Sequence, residues 1–194
     1  MSNKIQDRLT KLPVGRRKFL AYSGALAAAA AASTLPAPAV HAASKVKIGF
    51  VSPQTGPLAA FGEADKFVLA DARAALKNGI KIGKKNYQVE IVSKDSQSNP
   101  NRAAEVTSQL ILKDKVNIMI GSSSGDTVNP VSDQCELNEM PCVTSDTPWQ
   151  IVYFGRGATP KKGFKWTYHF FWGIDDMVGN FINMWNSIDS NKKL

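Results

Sequence analysis

Metal chemistry has little to work with in this chain, which holds two cysteines and two histidines among 194 residues. No CxxC pair occurs, and no histidine stands near Cys135 or Cys142 to complete a zinc site. The phosphate-cradling sequences are missing as well. There is no G-x-x-x-x-G-K-[ST], and no G-x-G-x-x-G follows the first strand-like run, which argues against nucleotide and dinucleotide enzymes. Neither a metal nor another cofactor is therefore expected. Long apolar runs are also scarce: the longest, Ala21 to Ala32, is too short and too rich in alanine to span a bilayer as a helix.

What the chain does have is a net charge of +8, which by itself would suggest nucleic acid. Its distribution says otherwise. Residues 1–42 hold six of the 24 basic residues (Lys4, Arg8, Lys11, Arg16, Arg17 and Lys18) and one of the 16 acids, Asp7. The remainder is close to balance, as an ordinary solvated surface is. A nucleic-acid binder needs a basic stripe with stacking aromatics, and no such stripe is present. At 43% hydrophobic and 21% charged, the composition is that of a globular protein.

The first forty-two residues read as an address. A basic stretch ends in Gly15-Arg16-Arg17-Lys18-Phe19-Leu20, the alanine run follows, and Val40-His41-Ala42 offers small residues for cleavage. The arginine pair resembles a twin-arginine export signal, although Gly15 stands where Ser or Thr is common, so the general secretory route stays open. No cysteine follows Ala42 to carry a lipid anchor. In an exported protein Cys135 and Cys142, seven positions apart, are either a disulfide or two buried free thiols.

Beyond residue 42, strand and helix patterns alternate, which predicts a parallel sheet flanked by helices. Strands are expected at Lys45–Val51, Tyr87–Val92, Val116–Ile120, Pro141–Thr144 and Trp166–Trp172. Ile80 and Ile82 read as part of a turn into the second of them. Helices are expected at Glu63–Asn78, with Phe67, Leu69, Ala70, Ala74 and Leu76 as its apolar stripe, and at Asn101–Lys113, where Asn99 caps and Pro100 takes the first position. Two more are expected at Thr127–Leu137, with Pro130 in its first turn, and at Met177–Ile188, capped by Asp175 and Asp176. Residues Ile151–Gly163 read as a loop.

Function is carried by Val116–Gln150, which reads as strand, polar loop, helix, strand and polar loop. Both loops leave the carboxyl ends of strands, where open α/β sheets bind small molecules. Their hydroxyls and free backbone N–H groups suit a carboxylate or similar polar group, with Phe61 and Trp149 as aromatic walls. Gly121-Ser122-Ser123-Ser124-Gly125 also matches the G-x-S-x-G nucleophile elbow, making a serine hydrolase of α/β architecture using Ser123 the alternative. Its only histidine beyond the leader is His169, inside an aromatic strand pattern, where packing is the simpler reading.

Several motifs in order carry a resemblance. Lys47-Ile48-Gly49-Phe50, Thr55-Gly56-Pro57-Leu58-Ala59-Ala60-Phe61-Gly62, Asp95-Ser96-Gln97-Ser98-Asn99-Pro100, Gly121-Ser122-Ser123-Ser124, Pro130-Val131-Ser132-Asp133 and Thr144-Ser145-Asp146-Thr147-Pro148 are similar to those of the periplasmic substrate-binding proteins of branched-chain amino acid ABC transporters. The resemblance implies a type I periplasmic-binding fold, two α/β lobes around a ligand cleft, no catalysis, and closure that a membrane permease recognises. It implies a periplasmic protein delivered by the Tat or Sec machinery. By the same resemblance Ser123, Ser124 and Gly125 meet a ligand carboxylate, Ser145, Asp146 and Thr147 its polar head, and Phe61 its side chain. Asp146 and Trp149 depart from the family pattern and point away from leucine towards an amide, urea-type or aromatic acid. The implied division is a leader at 1–42, a ligand-binding lobe at 43–163, and a crossover strand with the first helix of a second lobe at 164–194. On that division the second lobe, with the family's ammonium-binding acid, is almost wholly missing, and the chain is expected not to close on a ligand.

Overall fold

A computed structural model of the chain describes residues 45–189. The leader expected at 1–42 lies outside the described residues. Six strands form one sheet in the order β2-β3-β1-β4-β5-β6. At its centre β1 (Lys45–Ser52) runs parallel to β3 (Lys85–Asp95) on one side and to β4 (Ile118–Ser122) on the other. Ile48 faces Ile91 across one seam and Ile118 across the other. β5 (Cys142–Ser145) and β6 (Thr167–His169) extend the parallel ladder. This is the α/β sheet that the alternating pattern predicts.

The central strand is buried because its second half is apolar on both faces, as a parallel strand between helix layers must be. Phe50, Val51 and Ser52 are buried, and Gly49 leaves room for the Met119 side chain. On one face Val51, Val106, Leu110, Val116, Met119 and Val131 close into a continuous cluster with both cysteines. Its helices are α2 (Pro100–Leu112) and α3 (Gly125–Leu137). α2 buries Ala103, Val106, Thr107, Leu110 and Ile111, the i, i+3, i+4, i+7, i+8 spacing of one helical face. Its start follows the expectation: the Asn99 side chain accepts from the N–H groups of Asn101 at 2.9 Å and Arg102 at 3.0 Å, with Pro100 at the first position.

Other elements differ from the sequence reading. α1 (Asp65–Ala75) buries Leu69 alone, while Phe67 is 71% exposed, so its stripe is not turned inward. Ile80 and Ile82 belong to β2 (Ile80–Ile82), an antiparallel edge strand turned back by Gly83 at φ 61. α3 begins two residues earlier than Thr127, which moves Pro130 out of the first turn. Pro130 cannot donate, so the Asp126 carbonyl loses its usual intrahelical partner. Part of the expected loop at 151–163 is α4 (Trp149–Tyr153), whose first N–H reaches across to the Trp172 carbonyl at 3.3 Å. A segment that short takes its conformation from such tertiary bonds and has no periodicity to read.

β6 covers only Thr167–His169 of the seven-residue aromatic run. α5 (Ile174–Ser187) follows, with Asp176 in its first turn accepting from the Gly173 N–H at 2.8 Å. Val178, Phe181, Ile182 and Trp185 share a face, and no residue of α5 is buried. Cys135 and Cys142 are free and buried, the second of the two alternatives. Among the described residues no helix is long and apolar enough to cross a membrane.

Candidate functional site

The carboxyl ends of β1, β3, β4 and β5 line one edge of the sheet, and hydroxyl and carboxylate side chains tie their loops together. Asp95, at the end of β3, organises the loop after β1. One of its oxygens accepts from the N–H groups of Gln54 at 2.9 Å, Thr55 at 3.2 Å and Gln97 at 2.7 Å, and the other from the Thr55 hydroxyl at 2.6 Å. Burial alone would raise its pKa. The Thr55 hydroxyl and these N–H groups outweigh burial and hold it below the usual carboxylate value. The loop then enters a 3₁₀ turn at Ala59–Gly62, which leaves Phe61 64% exposed.

β4 ends in Ser122, and the chain passes through left-handed backbone at Ser123 (φ 65) and Ser124 (φ 72) before α3 starts at Gly125. Two consecutive non-glycine residues there are strained. The turn nonetheless directs three hydroxyls to three different places. Ser122 Oγ donates to Asp146 Oδ2 at 2.8 Å, and Ser123 Oγ donates to the Phe61 carbonyl at 2.9 Å. Ser124 Oγ is buried with no hydrogen-bond partner. The N–H groups of Ser123 and Ser124 are not among the free donors expected of these loops, because they reach the carbonyls of Ser145 at 3.4 Å and Asp146 at 3.3 Å. The first turn of α3 supplies the donors instead. Helix geometry gives Gly125 and Asp126 no intrahelical acceptor.

The loop after β5 holds Ser145, half-buried, then Asp146, exposed and at φ 60, then Thr147, 1% exposed. Thr147 Oγ1 is the second buried hydroxyl of these loops without a partner. Its carbonyl faces His169 Nε2 at 2.7 Å, and His169 Nδ1 faces Thr144 Oγ1 at 2.9 Å. Since a carbonyl only accepts, Nε2 carries the proton, and in the neutral ring Nδ1 accepts from Thr144. Burial lowers the His169 pKa, against the opposing pull of the Thr147 carbonyl and the Asp146 charge. Sequence reasoning assigned His169 to packing; the structure makes it the brace of this loop.

Asp65, at the start of α1, escaped the sequence reading altogether. Burial raises its pKa despite the nearby Ser52 hydroxyl, and the charge of Asp146 pushes the same way. Two carboxylates thus share this end of the sheet. Ser96 and Thr127, given no site role by the sequence, join their hydroxyls at 2.9 Å in the buried interior. A helix-opening aspartate and scattered hydroxyls carry no local signal; only the approach of β1, β3 and β4 gives them a common place.

Of the expected residues, Ser123, Ser124, Gly125, Ser145, Asp146 and Thr147 lie on two directly bonded loops, and Phe61 joins them through its carbonyl. Trp149 stands apart. It lines a cavity of about 340 Å³ with Tyr153, Phe164, Tyr168 and Arg156, and this cavity takes in none of the serine-loop residues. The nucleophile arrangement is not assembled. Ser123 Oγ donates to a carbonyl, and both nitrogens of His169 are engaged by Thr144 and Thr147, leaving the hydrolase alternative unsupported. Among the described residues no cluster of three or more His, Cys, Asp or Glu side chains is placed to hold a metal ion.

A family model described as periplasmic binding protein matches residues 45–186. No curated protein matches. Among solved structures, the fold is similar to a leucine binding protein from Thermotoga maritima, 24% identical with a TM-score of 0.56, over 72% of this chain and 36% of that one. It is similar too to a branched-chain amino acid transporter substrate binding protein from Streptococcus pneumoniae, in complex with isoleucine: 23% identical, TM-score 0.52, over 72% of this chain and 39% of that one. A third is a solute binding protein of an ABC transporter from Rhodopseudomonas palustris, in complex with 3,4-dihydroxybenzoic acid. It is 16% identical with a TM-score of 0.54, over 72% of this chain and 36% of that one. The chain spans little more than a third of the length of these structures.

Proposed function

The chain belongs to the periplasmic binding protein family, and from that premise we propose that it acts outside the cytoplasmic membrane, in the periplasm, as the solute-binding component of an ABC importer. On this reading it holds a small amino acid, amide or related carboxylate in an interlobe cleft for delivery to the membrane permease, after export by the Tat or Sec machinery. Phe61, Ser123, Ser124, Gly125, Ser145, Asp146, Thr147 and Trp149 are its proposed ligand-binding residues.

One observation carries the reading. Ser124 Oγ and Thr147 Oγ1, on adjacent loops at the carboxyl edge of the sheet, are buried without partners beside the opening turn of α3. Buried hydroxyls are normally satisfied, and a helix N-terminus favours an anionic group. A carboxylate would accept from the hydroxyls and from the Gly125 and Asp126 N–H groups together. Asp146 beside them favours a ligand that also carries a donor, such as an ammonium or amide nitrogen.

The test is a two-dimensional amide spectrum recorded with millimolar amino acids, amides, urea and aromatic acids in turn, since even weak binding shifts resonances. The reading expects at least one solute to move the Ser124–Asp126 and Ser145–Thr147 amides in a saturable way. A panel that leaves both segments unmoved overturns it.

A further inference from the structure

Neither cysteine belongs to the proposed ligand site, yet the fold brings the pair together. Cys135 lies in the last turn of α3 and Cys142 opens β5, with exposures of 0% and 1%. Between them the chain turns back through Glu139, at φ 52, and the Met140 N–H returns to the Cys135 carbonyl at 2.9 Å. Both side chains enter one buried cluster. Leu110, Met119 and Val131 belong to the same buried cluster.

We propose that Cys135 and Cys142 are a sealed redox pair, which closes into a disulfide when the chain meets a disulfide oxidant before folding and stays as two thiols once folded. The geometry favours the bond because the short connection folds back on Cys135 and brings both thiols into the same buried cluster. In the closing step one cysteine thiolate attacks a sulfur of the oxidant, R–S–S–R, and releases R–S⁻. The second thiolate then attacks the resulting mixed disulfide, forming the Cys135–Cys142 bond and releasing the second R–S⁻. Two electrons pass from the cysteines to the oxidant, and the two thiol protons end on the two released R–SH.

The folded state blocks this chemistry twice. Its core excludes the oxidant, and contact with Cys142 followed by burial holds the Cys135 thiol far above the ordinary thiol value, away from the reactive thiolate. The thiol state therefore records when folding occurred. Carriage across the membrane in folded form, as the Arg16-Arg17 motif suggests, delivers two thiols. Folding after passage into an oxidising compartment delivers the bridge. Only this last consequence rests on the proposed export; the thiol chemistry is tested without it.

The full chain is incubated with oxidised glutathione either folded or in urea, and thiols are counted by maleimide mass shift after denaturation. In urea the chain is expected to lose both thiols without gaining glutathione, and on refolding to regain the near-ultraviolet circular dichroism of the thiol form. The folded chain is expected to react at least ~100-fold more slowly, through rare opening only. In urea, where folding is not required, the variant Cys142→Ser is expected to end as a glutathione adduct at Cys135. Equal rates in the folded and urea samples would overturn the seal. Persistent glutathione adducts on the unaltered chain, or a bridged chain that cannot regain the native spectrum, would overturn the pairing.

Discussion

The hydroxyl of Ser123 donates to the carbonyl of Phe61 at 2.9 Å, across 62 positions of sequence. This bond joins the turn after β4 to the 3₁₀ turn that follows β1, and both residues belong to the proposed ligand site. Ser123 is buried, so its hydroxyl supports the site from behind while Phe61 stands exposed above it.

Removing that support should loosen the loop without unfolding the sheet. Ser123→Ala is expected to cost about 1–2 kcal/mol, the loss of one buried hydrogen bond that leaves a carbonyl unpaired. Urea denaturation reads the cost, and limited proteolysis should show earlier cleavage within residues 55–62. Unchanged stability and cleavage would mean that the bond contributes nothing.

Gly121 keeps α3 close to the sheet. A β-carbon there would stand 3.0 Å from Val131 Cγ1 and 3.2 Å from Thr144 Cγ2, tighter than ordinary contact. Gly121→Ala is expected to destabilise by about 1–3 kcal/mol through overpacking, and Gly121→Val by more. Denaturation midpoints in that order would assign the first glycine of the G-x-S-x-G run to packing. The reverse order would refute the assignment.

Glu136 fastens β6 to the end of α3. One of its oxygens accepts from the Trp166 N–H at 2.7 Å and the Thr167 N–H at 2.8 Å, the other from the Lys165 N–H at 3.2 Å. Burial raises its pKa, but these donors prevail and lower it below 4.5. A carboxylate with a depressed folded value stabilises fully above its unfolded value, and that stability is lost as pH falls through the folded one. Unaltered protein should therefore weaken below about pH 4.5 more steeply than Glu136→Gln. At neutral pH Glu136→Ala is expected to cost about 1–3 kcal/mol. Parallel acid profiles would show that the carboxylate charge is not involved.

His169 gives the opposite assignment of charge. Its folded pKa lies below the ordinary 6.5, so the unfolded chain takes up a proton first as pH falls. Stability is unaffected above 6.5, declines from there to the lowered folded value, and then levels off. His169→Gln should remove that slope below pH 6.5. It should also disturb the amide resonances of Thr144 to Thr147, which His169 braces. A variant with the same slope would place the titration elsewhere.

Much of the fold was legible because its signals are local. The Asn99-Pro100 start of α2 needs only two side chains and a fixed proline angle, and the apolar spacing from Ala103 to Ile111 needs only one helix. Strand–helix alternation predicted the parallel sheet before any pairing was known. α4 could not be seen that way, since its five residues owe their form to the bond between Trp149 and Trp172. α1 misled for the complementary reason: its apolar residues fit a helical stripe, and only the packing of the sheet turns Leu69 inward and leaves Phe67 out.

The site divides along the same line. By itself the sequence determined that Ser122–Gly125 and Ser145–Thr147 follow strands, and that a helix comes after the first of them, because hydroxyl-rich loops between apolar runs are a property of neighbouring residues. Only the tertiary structure decided which hydroxyl does what. Ser122 turns to Asp146, Ser123 turns to Phe61, and Ser124 and Thr147 keep their hydroxyls unspent. Those choices depend on the adjacency of β1, β4 and β5, in a sheet where β1 lies between β3 and β4 and not beside β2. A hydrogen bond is set by distance and angle in space, and no spacing along the chain encodes either.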